Sequence, residues 1–250
     1  MGLEVAEAPQ ANGLKTAFDT IVAPRDAFAA LKTSPTWGWA CAISLILLLV
    51  GYFMQRPAQL HAAVGTMQHM MATNSLFASM TDEQKQKAID NAQHPGPLSM
   101  VLAILGIVFS LFGAALVNAV VMLVGNIAAR GTAGFRQLWA GSMNIAIPTL
   151  GLNYVVLGAI CLALGADHFQ NSGDLLRSVP GLAMLAPGLH GWLAGVLFGL
   201  NIFTIWGCIL NVMMMRETAG VKSALAWVAP LAVLVGGALW LGAMSSFYAG

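Results

Sequence analysis

Charge is what this sequence has least of. Only 8% of its 250 residues are Asp, Glu, Lys or Arg, where a soluble chain carries roughly a quarter. With 58% hydrophobic residues and a mean hydropathy of +0.76, the bilayer must act as solvent for most of the chain. The net charge is +1, and the eleven Lys and Arg are scattered over every loop. That gives no reason to expect a nucleic-acid partner, which requires a basic patch. Cysteine is scarce too: Cys41, Cys161 and Cys208 each lie inside a hydrophobic run. They read as small buried apolar residues, with no disulfide framework and no zinc site.

Catalytic and cofactor motifs are equally thin. No H-E-x-x-H, G-x-S-x-G, P-loop or dinucleotide fingerprint occurs, and Ser142 has no candidate base nearby in sequence. His61, His69 and His94, with Met67, Met70 and Met71, read as packing and solvation in a loop, not as a soft-metal set. His168 and Asp174 read as solvated loop residues. No Asp, Glu, Lys, Arg or His interrupts the hydrophobic runs, and proton- or ion-coupled carriers generally need such a residue. The expectation is a chain with no catalytic residues, no metal and no cofactor.

What is there is a series of five long apolar segments. They predict an all-α integral membrane bundle of five transmembrane helices, at about 37–54, 98–125, 139–165, 192–215 and 224–246. Residues 1–12 mix acids, alanine and proline without a period and read as a disordered tail; they do not form the basic-then-apolar start of a leader. Residues 13–36 form an N-terminal amphipathic segment on the cytoplasmic side, broken at Ala23–Pro24, that lies on the membrane surface, folds against the bundle, or serves as a linker. The first span is expected to end before Arg56 and open a helical extracytoplasmic loop, 56–97. Within that loop Thr81 and Gln84 have the spacing of a capping box and open a helix running to Ala92. The second apolar run, Leu98 to Ala129, is too long to cross upright and must tilt, kink or emerge; its Asn118 should find a partner inside the bundle. Pro148 predicts a kink in the third span, with Asn144, Thr149 and Asn153 placed to satisfy freed backbone groups.

The fourth span carries a ridge. Gly191, Gly195, Gly199 and Gly207 fall at multiples of four and, on one continuous helix, form a bare stripe for close helix packing or self-association. A second pattern is polar: Asn118, Asn144, Thr149, Asn153, Asn201 and Thr204 could line a neutral path between the spans. Both readings stay open from the residues alone.

Five spans put the termini on opposite sides. Lys15, Arg25, Lys32, Arg130, Arg136, Arg216 and Lys222, seven of the eleven cations, share the side of the N-terminus. That side is therefore expected to be cytoplasmic, with the C-terminus outside. Arg25, Lys32, Arg130, Arg136, Arg216 and Lys222 then form a surface for a partner or for anionic headgroups.

Three segments carry a family likeness. FDTIVAPRDAFAALKTSPTW at 18–37, GTAGFRQLWAGSMNIAIP at 131–148, and LNIFTIW at 200–206 followed by the charged turn RETAGVKSALAWV, resemble the corresponding parts of the bacterial Yip1-domain membrane proteins. The resemblance covers most of residues 18–245. It implies a multi-pass protein of the bacterial cytoplasmic membrane, without enzymatic activity, acting as a membrane organiser or interaction scaffold. Its partners would be the lipid bilayer, other membrane proteins or a second copy of itself. In eukaryotic relatives the family implies membrane traffic with prenylated small GTPases; this sequence looks more like the bacterial branch. The competing expectation is a passive channel or facilitator using the asparagine-lined path.

Overall fold

In the computed structural model, residues 12–73, 77, 79–186, 188–189 and 191–249 are described. The expected tail lies outside them except for Asn12, whose side chain caps the first helix by accepting from the Leu14 and Lys15 amides. All regular structure among the described residues is helical, apart from one isolated bridge between Gly181 and Asn201. Four stretches are long and apolar enough to cross a membrane: Gly38–Ala72, Pro97–Ala128, Phe135–Leu164 and Ala224–Ser245. The chain is an all-helical membrane protein.

Two short helices open the fold. Helix α1, Gly13–Val22, and helix α2, Pro24–Thr33, meet at Ala23, where the break was expected, with Pro24 at the first position of α2. Helix α2 presses Phe28 and Leu31, both fully buried, into a core shared with Met214 and Met215. Helix α1 turns the small residues Thr16, Ala17 and Thr20 inward and leaves Leu14, Phe18 and Val22 outward, Phe18 being 64% exposed. The segment is folded against one end of the bundle.

Helix α3, Gly38–Thr73, corrects the expected end of the first span. At 36 residues it is ~54 Å long and runs straight through Arg56 and Pro57. A proline removes one helical hydrogen bond, and neighbouring contacts hold the helix across it. Gln55, buried, donates from Nε2 to the Tyr154 carbonyl at 2.8 Å, and Arg56 donates to the Tyr52 hydroxyl at 2.7 Å. The first part of the expected loop, as far as Thr73, is therefore a continuation of the same helix. Beyond it comes α4, Asp82–Gln93, which begins with the expected reciprocal capping box of Thr81 and Gln84.

Helix α5, Pro97–Ala128, spans the predicted second segment. The third is α6, Phe135–Ala146, then a π-helical turn, Ile147–Leu152, then α7, Asn153–Leu164. Pro148 sits in that turn, and the Thr149 hydroxyl donates to the Ile145 carbonyl at 2.8 Å, as the kink required. Asn144 does not serve the kink: its amide donates to the carbonyls of Ala140 and Thr36. After the short α8, Ser172–Arg177, come α9, Gly191–Gly199, α10, Ile202–Glu217, and α11, Val228–Ala249.

The separation of α9 from α10 overturns the expectation of one continuous helix at 192–215. Asn201 leaves the helical conformation and caps α10, accepting from Phe203 and Thr204 amides at 3.0 and 3.1 Å. The freed backbone is satisfied by the loop before it: Leu182 donates to the Leu200 carbonyl and Ile202 to the Pro180 carbonyl. Irregular backbone survives at depth only where protein covers it, and this short antiparallel contact is the cover.

The two ends of the bundle are distinct. At one, the Thr218 hydroxyl donates to the Phe28 carbonyl, Gln137 to the Lys32 carbonyl, and the Thr132 amide to the Ala219 carbonyl. At the other, His61 Nδ1 lies 3.0 Å from the Phe169 carbonyl and the Ser172 amide donates to Thr66. Cys41, Cys161 and Cys208 are free and buried, as read from their surroundings.

Candidate functional site

The centre of the bundle holds a three-helix polar junction. Asn118 of α5 donates from Nδ2 to Ser142 Oγ on α6 and to Asn211 Oδ1 on α10, both at 2.9 Å. Asn118 thus finds the partner that its position within an apolar run demanded. Around the junction lies a cavity of about 230 Å³. Asn118, Ser142, Thr149, Thr204 and Asn211 contribute its polar lining, while Ala114, Leu150, Val233, Leu234 and Leu241 contribute apolar wall. Two interruptions of regular helix border it, the π turn at Pro148 and the α9–α10 break, together with Pro230 in the first turn of α11. No ionisable carboxylate, amine or imidazole lines it.

The expected polar path is only partly assembled. Asn118, Thr149 and Thr204 meet at the cavity. Asn144 is fully buried and spent on backbone carbonyls, Asn201 is spent on the α10 cap, and Asn153 is not part of the lining. Ser142 and Asn211 were missed as members of the set. Asn211 was legible as a polar residue one turn beyond Gly207; its convergence with Asn118 depends on the break that starts α10.

The glycine ridge is divided in the same way. A Cβ on Gly195 would meet the Leu241 carbonyl at 2.5 Å, and one on Gly199 would meet Ala238 Cα at 2.5 Å, so both belong to an α9–α11 contact. Gly207 instead faces the Thr149 methyl group at the π turn. Among the described residues a Cβ on Gly191 would meet nothing within 4 Å, and Gly191 begins α9 with a φ of +64°, so its place in the ridge is corrected to a turn position. A further close helix contact was not expected from the pattern: a Cβ on Gly51 of α3 would lie 2.4 Å from the Tyr154 carbonyl carbon, and one on Gly158 of α7 would lie 2.7 Å from Met54 Cβ.

The cationic set does come together. Arg25 and Lys32 on α2, Arg130 after α5, Arg136 on α6, Arg216 on α10 and Lys222 beyond it all belong to segments tied at the α2 end, and all six are exposed. Arg130 takes a left-handed φ of 55° at the α5 terminus, turning the chain toward α6. Among the described residues none of the six forms an ion pair; Lys15 does, with Asp19, and the hydrogen bond to that carboxylate raises the Lys15 pKa.

Compared with known proteins, the chain matches no family model, no curated protein and no solved structure.

Proposed function

We propose that this chain is a non-enzymatic, Yip1-like membrane organiser, an interaction scaffold that presents a basic face to an acidic cytoplasmic segment of another membrane protein. The observation that carries the reading is the set of six exposed cations, Arg25, Lys32, Arg130, Arg136, Arg216 and Lys222, with no ion pair among the described residues. They stand on segments fixed to the bundle by buried anchors such as Phe28 and by the Thr218–Phe28 hydrogen bond. A rigid basic surface keeps its charges spaced for a partner, and such complementarity chiefly sets encounter rate and specificity.

The reading includes five crossings of a bacterial cytoplasmic membrane. Phe169 bonds at one end of the bundle and Thr218 at the other. In this reading the chain between them returns from one end to the other, with α9 and α10 making the crossing in two pieces. With five crossings and the cationic end inside, the N-terminus is cytoplasmic and the C-terminus extracytoplasmic. The facilitator reading has less behind it, because Asn144 and Asn201 are committed to backbone groups.

The test is crosslinking in intact membranes followed by affinity purification, comparing the native chain with Arg25→Glu, Lys32→Glu and Arg136→Glu combined. Deleting the segment outright would confound the result, because Phe28 and Leu31 are core residues. A reproducible protein partner lost on charge reversal, at unchanged melting temperature, supports the scaffold. Recovery of the same partners by both chains removes the basic face from the argument.

A further inference from the structure

The central cavity has a side opening. Helices α5 and α11 touch where a Cβ on Gly125 would lie 2.4 Å from Ala229 Cβ, but a Cβ on Gly236 or Gly237 of α11 would meet nothing within 4 Å among the described residues. The two helices therefore diverge away from the Gly125–Ala229 contact. Ala114 and Gly237, both exposed, stand at the cavity's edge on opposite sides of the gap. The helix faces flanking it carry exposed apolar side chains, Val117 on α5 and Leu231 on α11. In a membrane this window faces hydrocarbon.

The floor behind the window is short of hydrogen-bond partners. Asn211 is only 4% exposed, and its carboxamide oxygen accepts from Asn118, while its amide nitrogen has no partner among the described residues. Ser142 Oγ accepts from Asn118, which leaves the hydroxyl proton free to donate. Asn118 Oδ1 is buried without a partner. Exchanging the oxygen and nitrogen of both carboxamides preserves their mutual bond and still leaves one half of each unmatched. Unmatched polar groups away from water are costly, so the junction is complementary to a small group that accepts from the Asn211 amide or, with the carboxamides exchanged, donates to the Asn211 oxygen. Because no charged side chain lines the cavity, that group is uncharged.

We propose that the cavity binds the hydroxyl end of a single-chain neutral lipid, entering sideways between α5 and α11. The hydroxyl pairs with the open half of the Asn211 carboxamide or with Ser142. The cavity, at about 230 Å³, is below the roughly 300–1,000 Å³ of sites that enclose a drug-sized ligand. It houses the head and the first carbons, and the rest of the chain stays in the bilayer against Val117 and Leu231. This site is independent of the basic face and of the scaffold reading.

The test uses the full chain in phospholipid nanodiscs and a long-chain primary alcohol carrying a diazirine near its hydroxyl. Saturable labelling of peptides spanning 114–118 or 233–241 is expected, competed by unlabelled alcohol and not by the alkane of equal length. Gly237→Leu, whose side chain enters open space, should reduce labelling to background at unchanged melting temperature. Asn211→Leu should weaken it about fivefold, the worth of one hydrogen bond. Equal competition by the alkane, or undiminished labelling of Gly237→Leu, overturns the proposal. So does a crosslink through the same window to a second copy of the chain, which would make the gap an oligomer contact.

Discussion

Gly199 of α9 lies so close to Ala238 of α11 that a Cβ at 199 would sit 2.5 Å from the Ala238 backbone carbon. Backbone cannot yield as a flexible side chain can. Gly195→Leu and Gly199→Leu should each lower the melting temperature in detergent, at a cost of about 1–3 kcal/mol for overpacking. Gly236→Leu on the same partner helix meets nothing within 4 Å and should melt like the native chain. Equal melting of all three would mean that the α9–α11 contact does not support the fold.

The broken helix makes a second prediction. Asn201 holds the start of α10 through Phe203 and Thr204 amides, and its own amide donates to the Phe198 carbonyl at 3.1 Å. Asn201→Ala should cost about 0.5–2 kcal/mol, while Asn201→Asp, which keeps the accepting oxygen, should lose less. Thermal melting in one detergent reads both. If alanine and aspartate behave alike, the cap is not what fixes the break.

How much of this was legible in the sequence follows from what each feature depends on. The helix boundary at Ala23–Pro24 and the Thr81–Gln84 capping box are local effects of proline geometry and side-chain reach, and the structure has both; at Pro148 it has a π-helical turn. The continuation of α3 through Pro57 was not legible, because it relies on Gln55 reaching the Tyr154 carbonyl from 99 residues away. The break at Asn201 was hidden for the same reason. Its unpaired backbone is satisfied by Pro180 and Leu182, and without that loop an unbroken apolar run reads as one helix. Splitting the run divided the glycine ridge and turned Asn211 toward Asn118, so the site's membership depended on a distant contact.

The Asn118–Asn211 bond should be measurable as an interaction energy. Asn118→Leu and Asn211→Leu, singly and together, form a double-mutant cycle whose coupling should be about 1 kcal/mol, within the range found for interhelical pairs in membranes. Each single variant should be destabilised, because it leaves the other carboxamide facing hydrocarbon-like surroundings. A coupling near zero would show that the two side chains choose other partners in the bilayer.

The proposed five crossings make a prediction for which the native cysteines need not be removed. Cys41, Cys161 and Cys208 are all buried, so a membrane-impermeant maleimide should leave the unmodified chain unlabelled in intact cells. Lys85→Cys on α4 should react from outside. Arg136→Cys and Lys222→Cys should react only after permeabilisation, because α6 begins and α10 ends at the face to which α2 is tied by Gln137 and Thr218. The pair Lys85 and Lys222 decides the parity of crossings between them, since α5, the α6–α7 run and the two-piece α9–α10 make three. Labelling of both from the same side would mean that α9 and α10 do not complete a crossing and that only the four continuous stretches span. Labelling of Lys85→Cys only after permeabilisation, with Lys222→Cys reacting outside, would keep five crossings and reverse their direction. In that case the cationic face would meet the extracytoplasmic side and the scaffold proposal would lose its cytoplasmic partner.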